Sequence, residues 1–192
     1  MVLATDWGRC NYDIRHAFKT GYVYDLPFGR GRQFGGDWHP AANALLGGWA
    51  VEGLIQLQTG TPSNIQLGTD WANVGWGQQR PNVVSNPNVD GRRDPDRMFN
   101  TDAFKRPQQY TYGNAAPYMV FDDGRYIWDI SILKKFPIRE RHDLEFRAEF
   151  FNLPNHVNFN IGKQQSLSSA TFGTTTSATT ERQIQFVLRY EF

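Results

Sequence analysis

The end of the chain alternates between apolar and polar side chains from Gln183 onward, with Val187 as the only exception. Its apolar positions are Ile184, Phe186, Leu188, Tyr190 and Phe192. A period of two predicts a β-strand with one apolar face and one polar face. Chain ends usually fray in water, whereas a strand between lipid and a wet lumen needs such an aromatic face. The pattern therefore favours a membrane strand.

Four earlier segments alternate in the same way. Together with the closing segment they predict strands at 15–26, 48–59, 125–136, 142–152 and 182–192. The fourth is the most regular, because acidic and basic residues occupy every second position from Asp143 to Glu149. A strand of about eleven residues tilted by about 45° spans roughly 25 Å along a membrane normal. The predicted lengths thus suit a bilayer.

The connections between these strands differ greatly in length. The predicted loops at Gly68–Gly124 and Asn152–Glu181 are long and polar, whereas Pro137–Arg141 is a short turn. Short periplasmic turns and long extracellular loops are typical of outer-membrane barrels. Residues from Pro27 to Leu46 are predicted to form a loop, and Ser63–Leu67 to continue the second strand beyond a bulge. The predicted fold class is all-β, an antiparallel meander forming a partial segment of a large transmembrane β-barrel with long extracellular loops.

Composition and charge narrow the classes of function. The formal net charge of +1 gives no electrostatic footprint for nucleic acid. No apolar run is long enough for a transmembrane helix, and Glu52 interrupts the best one. The single cysteine, Cys10, cannot form an internal disulfide. The first residues lack a basic segment followed by an apolar one, so no secretory signal is expected.

Seven segments spread over nearly the whole chain carry a family resemblance. They are HAF at 16–18 with YDLPFGRG at 24–31, LGGW at 46–49 with QTGTP at 58–62, RPNVV at 80–84, FNTDAF at 99–104, WD at 128–129 with KF at 135–136, RAEFFN at 147–152 with NHVNF at 155–159, and RQIQF at 182–186. In this order they resemble the carboxyl-terminal barrel portion of the Oar-like TonB-dependent outer-membrane receptors. The combination is more specific than any single segment.

The resemblance implies a receptor in the bacterial outer membrane that imports a scarce ligand with energy delivered through TonB. It implies three partners: outer-membrane lipid, the barrel-assembly machinery, which would recognise the closing strand, and the TonB complex. The TonB complex would be reached only through an amino-terminal part that this sequence does not show. Residues 1–192 are thus expected to be a receptor barrel segment of about five strands without a plug domain, which is a non-autonomous fragment of a larger barrel.

Two sets of aromatic residues are candidates for function. Exposed aromatics in the long loop are expected to contact ligand, since they stack on sugar rings and other flat molecules, with local loop packing as the alternative. These are Trp71, Trp76, Tyr110, Tyr112 and Tyr118. Strand aromatics are expected to face lipid or to form the interfacial aromatic belt. These are Trp49, Trp128, Phe146, Phe150, Phe186, Tyr190 and Phe192.

No enzyme chemistry is expected. The four histidines lack the spacing of zinc sites, and the loop carboxylates Asp90, Asp94 and Asp96 lack a regular calcium-binding pattern. The sequence therefore predicts no catalytic residues, metal site or cofactor. Two alternatives remain at this point: a soluble β-sandwich that acts as a carbohydrate-binding module, and a secreted β-rich hydrolase.

Overall fold

The computed structural model describes residues 6–89, 94–139, 142–179 and 181–192. Its strands are β1 (Ala17–Asp25), β2 (Trp49–Gln58), β3 (Pro62–Gln66), β4 (Asn82–Val83), β5 (Phe104–Lys105), β6 (Val120–Phe121), β7 (Arg125–Arg139), β8 (His142–Phe151), β9 (Phe159–Asn160), β10 (Gln164–Ser166), β11 (Ser177–Ala178) and β12 (Gln183–Glu191). A helix, α1, spans Pro40–Leu46, and a 3-10 turn spans Thr101–Ala103.

The chain divides into two compact units. The first, here called the sheet unit, comprises Phe18–Leu57, Tyr126–His156 and Thr180–Phe192. The second, here called the loop unit, comprises Met1–Ala17, Gln58–Arg125 and Val157–Thr179. The loop unit thus contains most of the two segments that the sequence predicts as long loops.

The sheet unit is a five-stranded sheet in the order β1-β2-β7-β8-β12. Each of these long strands therefore lies beside the long strand that precedes or follows it in the sequence. Strand β8 pairs antiparallel with both β7 and β12, and Ala148 lies between Ile132 and Phe186. At the opposite edge of the sheet, where β1 lies beside β2, the Leu26 N–H donates to the Trp49 carbonyl at 2.8 Å. The all-β, antiparallel fold class is confirmed.

The long strands lie within three residues of their predicted limits. The largest difference is in β7, which continues to Arg139 through Pro137. A register shift lies between Pro137 and Arg139, where β7 pairs with β8. Proline has no N–H to donate to a neighbouring strand, so strands tolerate it where the pairing is irregular.

A glycine allows one close aromatic contact in the apolar face of the sheet. A Cβ on Gly53 would lie only 2.6 Å from Cε1 of Tyr22, so the Tyr22 ring covers this position. The Tyr22 hydroxyl accepts a hydrogen bond from Trp128 Nε1 at 3.1 Å. The missing side chain at Gly53 therefore makes room for a contact that links β1 to β7 across β2.

An asparagine-rich turn after β8 fixes the end of that strand. The Asn152 N–H donates to Asp129 Oδ1 at 2.8 Å, and Asn152 Oδ1 accepts from the His156 N–H at 3.0 Å. Asn155 Oδ1 accepts from the Arg182 N–H at 3.0 Å, next to the start of β12. Both asparagines have positive φ, which asparagine tolerates better than most residues. This turn joins β7, β8 and β12, and it explains the spacing of asparagines in the matching segment.

The predicted loop at 27–46 is wrong in part, because it contains α1. Pro40 occupies the start of the helix, where its missing N–H costs nothing. His39 Nδ1 accepts a hydrogen bond from the Ala41 N–H at 3.3 Å and thereby caps the helix. Alanine and leucine, which favour helix, fill the remaining turn.

The expectation that Ser63–Leu67 continues the second strand is also wrong. Strand β3 belongs to a three-stranded sheet in the loop unit, parallel to β10 and antiparallel to β6. Pro62 begins this strand, since proline fits the first residue of a strand better than its middle. Gly60 has no space for a Cβ beside the Asp122 carbonyl. The chain therefore changes partners at 60–62.

The loop unit has its own apolar core. Its buried members are Ile65, Met98, Phe99, Ala103, Phe104, Val120 and Ile161. The Phe99 ring makes edge contacts with Phe104 at 5.9 Å and with Phe172 at 5.2 Å between centroids. The buried Asp122 carboxylate accepts hydrogen bonds from the Thr61 hydroxyl and, at 3.0 Å, from the Ile161 N–H. The predicted loops are therefore ordered by a packed centre.

We predict that Phe99→Ala destabilises the loop unit by about 3–5 kcal/mol, because it removes a buried ring at the centre of an aromatic cluster. Limited proteolysis across a urea series would measure the change in its unfolding free energy. The exposed Tyr112→Ala variant is the control and should shift it by less than about 0.5 kcal/mol. Equal protease resistance of the Phe99→Ala variant and the wild type would show that this core does not hold the loops.

Candidate functional site

The first predicted ligand-contact residue, Trp71, is held from two sides within the loop unit. Its Nε1 donates to the Pro107 carbonyl at 2.9 Å. The Arg106 guanidinium carbon lies 5.0 Å from the centroid of the Trp71 ring, which is a cation–π distance. The Tyr110 N–H donates to the Trp71 carbonyl at 3.3 Å. One edge and one face of the indole are thus occupied by the protein.

Trp76 lies in a turn organised by the Asp70 carboxylate. Asp70 accepts hydrogen bonds from the N–H groups of Val74 at 3.0 Å and Gly75 at 2.7 Å. Gln79 Nε2 donates both to this carboxylate and, at 2.8 Å, to the Trp76 carbonyl. The hydrogen bond from Val74, with those from Gly75 and Gln79, holds the pKa of Asp70 below its ordinary value of 3.8. The Trp76 side chain is exposed at the tip of this turn.

The three candidate tyrosines differ in their surroundings. Tyr110 and Tyr112 are strongly exposed. Tyr110 lies in a turn at 108–111 that the Thr111 hydroxyl closes by donating to the Gln108 carbonyl at 2.6 Å. Tyr118 is half-buried. Tyr110 and Tyr118 both have positive φ, which is uncommon for residues with large side chains. Such backbone conformations persist only where the surrounding structure fixes them.

The structure brings Trp71 and Tyr110 together through their backbones and places Arg106 on the Trp71 ring. It gives no hydrogen bond or ring contact that joins Trp76, Tyr112 or Tyr118 to this pair within the described residues. Sequence reasoning did not identify Arg106, because the cation–π contact depends on a fold that brings residues 35 positions apart together. Ligand contact by the five aromatics stays a prediction.

The predicted lipid-facing aromatics share one face of the sheet unit. Trp49 meets Phe146 edge-on at 6.1 Å, and Phe146 stacks on Phe186 at 6.2 Å between centroids. Phe150 lies between Ile130 and Ile184 in the strand register. Phe186 leaves 70% of its surface exposed. Exposing an apolar face of this kind to water is unfavourable in free energy, whereas lipid solvates it.

The aromatic end of this face is built around Tyr190. Its hydroxyl lies 2.7 Å from His142 Nδ1, and the two rings stack at 5.7 Å between centroids. Phe192 also stacks on Tyr190, at 6.0 Å between centroids. Trp128 lies on the same face and donates its Nε1–H to the Tyr22 hydroxyl. A polar group on an aromatic body suits the boundary between membrane and water.

Sequence reasoning missed Lys134, which has the same parity as the apolar residues of β7. Its side chain is almost fully buried, with Nζ 4.9 Å from the Phe136 ring centroid and 5.6 Å from that of Trp49. Nζ donates to the carbonyls of Gly47, of Ala44 at 2.6 Å and of Asn43 at 3.4 Å. The Ala44 and Gly47 carbonyls lie at the end of α1, where a helix leaves acceptors without an intrahelical donor, and the Asn43 carbonyl also accepts from the Gly47 N–H at 3.0 Å. The alternation alone could have identified the lysine, although not its partners.

The opposite face of the sheet carries linked charges. Arg147 lies within 3.2 Å of Glu145, 3.6 Å of Glu149 and 3.7 Å of Glu52, so it joins β8 to β2. Lys135 lies 3.6 Å from Glu145 across the pair of β7 and β8. The cross-strand charges offset one another. This face therefore has the polar character of a barrel lumen.

The described residues contain neither a metal-site arrangement nor a membrane-spanning helix. No group of three or more His, Cys, Asp or Glu side chains there is arranged to hold a metal ion. None of the helices in those ranges combines the length and the apolar character needed to cross a bilayer.

Comparison with known protein families gives one match. The model of an outer membrane beta barrel domain matches residues 2–185. The chain belongs to this family. Outer-membrane barrel proteins reside in the bacterial outer membrane, so the exposed apolar face of the sheet unit has lipid as its natural solvent. The soluble carbohydrate-binding module is therefore not supported. No curated protein and no solved structure matches the chain.

The Asp70 turn should respond to acid. Because the folded-state pKa of Asp70 is lowered, its stabilising effect is present above about pH 4 and is lost as pH falls through a folded value below 3.8. The amide resonance of Gly75 should follow this titration in NMR spectra. The Asp70→Asn variant should abolish the response. A midpoint above 3.8 would contradict the hydrogen-bonded turn.

The two faces of β12 should differ in how well they tolerate an arginine substitution. Phe186→Arg places a charge at the middle of the predicted lipid-facing side and should destabilise the folded state by about 2–4 kcal/mol. Gln185→Arg is the matched control on the polar face, where Gln185 already pairs with Glu149. The folded fraction in urea, seen as heat-dependent mobility on a gel, gives both values. Equal tolerance of the two substitutions would refute the assignment of faces.

Proposed function

We propose that this outer-membrane β-barrel chain forms part of a TonB-dependent receptor of the Oar-like type that takes up a scarce ligand. The proposal is supported mainly by the seven matching segments, which occur in the family's order. The asparagine turn adds to this support. Asn152 and Asn155 in one of these segments hold Asp129 and Arg182, so the motif has a structural reason to recur.

Ligand contact is proposed for the loop unit, at the exposed aromatic residues of its long segment. Trp76, Tyr110 and Tyr112 are exposed. Hydrogen bonds hold the Trp76 carbonyl and the Tyr110 N–H, and Tyr112 directly follows the turn that Thr111 closes. Exposed aromatic rings on an ordered backbone lose little conformational entropy when they bind a flat ligand. Trp71 takes a different role in this proposal. With one face occupied by Arg106, it positions Tyr110 instead of offering both faces to a ligand.

The proposed orientation places the short connection after Arg139 in the periplasm and the loop unit segments outside the cell, as in other outer-membrane barrels. The proposed partners are outer-membrane lipid, the barrel-assembly machinery at β12, and the TonB complex through an amino-terminal part of the receptor. The proposed role is binding and transport without catalysis.

Binding and energised uptake test the proposal together. Outer membranes that contain the receptor would be titrated with a defined panel of ferric siderophores, cobalamin and oligosaccharides while tryptophan fluorescence is recorded. One class should change the fluorescence, and Trp76→Ala with Tyr110→Ala should weaken its binding by about tenfold or more, as expected for loss of stacking contacts worth about 1–3 kcal/mol.

Uptake of that class by cells should stop when a proton uncoupler is added. The Val84→Ala variant is a suitable control, because Val84 is exposed in the same unit but offers no ring for stacking. Binding that is unaffected by the aromatic substitutions would contradict the proposed contact surface. Uptake that continues with the uncoupler would contradict TonB dependence.

A further inference from the structure

A cationic groove lies in the sheet unit between the turn that contains α1 and the end of β7. It encloses about 330 Å³. The residues that line it and that matter here are Arg30, Arg32, Asn43, Gly47, Lys134 and Phe136. None of them belongs to the aromatic surface proposed for ligand contact, so the groove is a separate feature of the molecule.

The positive charge of the groove is only partly balanced by carboxylates. Arg32 Nη2 lies 3.2 Å from Asp25 Oδ2, and Lys135 Nζ lies 3.4 Å from Glu191 and 3.6 Å from Glu145. Arg30 donates from Nε and Nη2 to the Trp38 carbonyl at 3.3 and 3.2 Å, and Lys134 donates only to backbone carbonyls. Among the described residues neither cation is paired with a carboxylate. The exposed Arg30 guanidinium therefore faces this space, whereas the Lys134 ammonium is buried in the wall of the groove with its three N–H groups donating to carbonyls.

The surroundings of the groove are apolar on one side. Phe136 and Trp49 lie against the Lys134 ammonium on the lipid-facing side of the sheet. Leu45 and Leu46, at the end of α1, are 70% and 58% exposed. Positive charge next to exposed leucines suits an anionic lipid, because its charged headgroup is joined directly to apolar acyl chains.

We infer that this groove binds the phosphate headgroup of an anionic phospholipid such as phosphatidylglycerol. The Arg30 guanidinium contacts the phosphate, because its remaining N–H groups match phosphate geometry. Lys134 adds a second charge, and Leu45 and Leu46 contact the acyl chains. Strand β7 ends and β8 begins at this end of the sheet, which the proposed orientation assigns to the periplasmic leaflet. The inference goes beyond the proposed receptor activity and does not depend on ligand uptake.

Lipid retention tests the inference. The chain is reconstituted in bilayer nanodiscs of equal phosphatidylglycerol and phosphatidylcholine, and the lipids that it keeps are counted by native mass spectrometry. The wild type should retain phosphatidylglycerol preferentially. Arg30→Gln should lower this preference roughly fivefold, as expected for one charge near a lipid surface, and Arg30→Lys should keep most of it.

Arg189→Gln is the matched control, because Arg189 is an exposed arginine of the same unit whose guanidinium pairs with Glu191 at 3.2 Å. Its lipid preference should equal that of the wild type. Equal retention of both lipids by the wild type, or equal losses in Arg30→Gln and Arg189→Gln, would overturn the inference. If millimolar inorganic phosphate bound to the chain in phosphatidylcholine discs and also removed the lipid preference in the mixed discs, the groove would be a site for a free anion and the lipid assignment would be wrong.

Discussion

Main-chain hydrogen bonding within a bilayer constrains the rest of this structure. Lipid offers no partner for an N–H or a carbonyl, so each strand that enters it must pair with another strand. The nine consecutive pairs between β8 and β12 meet this requirement and fix the register of their side chains. A shift by one residue would bring Phe186 to the polar face and Arg189 to the apolar one. The main-chain pairing of β8 with β12 and the apolar–polar alternation of their side chains are therefore compatible only in this register.

The loop unit is stabilised differently. Water can form hydrogen bonds with its backbone, so the burial of apolar side chains must provide its order. Phe99 and its neighbours supply that burial, while Asp122 ties separate segments together through the Thr61 hydroxyl and the Ile161 N–H. The exposed aromatics are thus carried on a backbone that is already ordered. An ordered surface loses less conformational entropy on binding than a flexible loop would, which makes such a unit suitable for recognition.

The strands could be predicted from the alternation of neighbouring side chains in the sequence. Contacts between residues far apart in the sequence could not be predicted in this way. The alternation around Phe146 and Phe186 identified both strands and their faces, since neighbouring side chains alone determine that pattern. Nothing near Lys134 in the sequence indicates that its ammonium caps α1, whose carbonyls lie about 90 positions earlier. Strand β3 likewise pairs with β10 about 100 positions later. The helix at Pro40 could have been found from its proline start and its alanine and leucine residues.

The central claim is that β12 has lipid on one face and water on the other. The single cysteine makes a direct measurement possible: in a Cys10→Ser background, spin labels are placed one at a time from Gln183 to Glu191 in bilayers. Collision rates with oxygen, which dissolves in lipid, and with a water-soluble nickel complex are compared by electron paramagnetic resonance. Oxygen access is expected to peak at the even-numbered positions and nickel access at the odd-numbered ones. Uniform access to the nickel complex along the strand would contradict the claim.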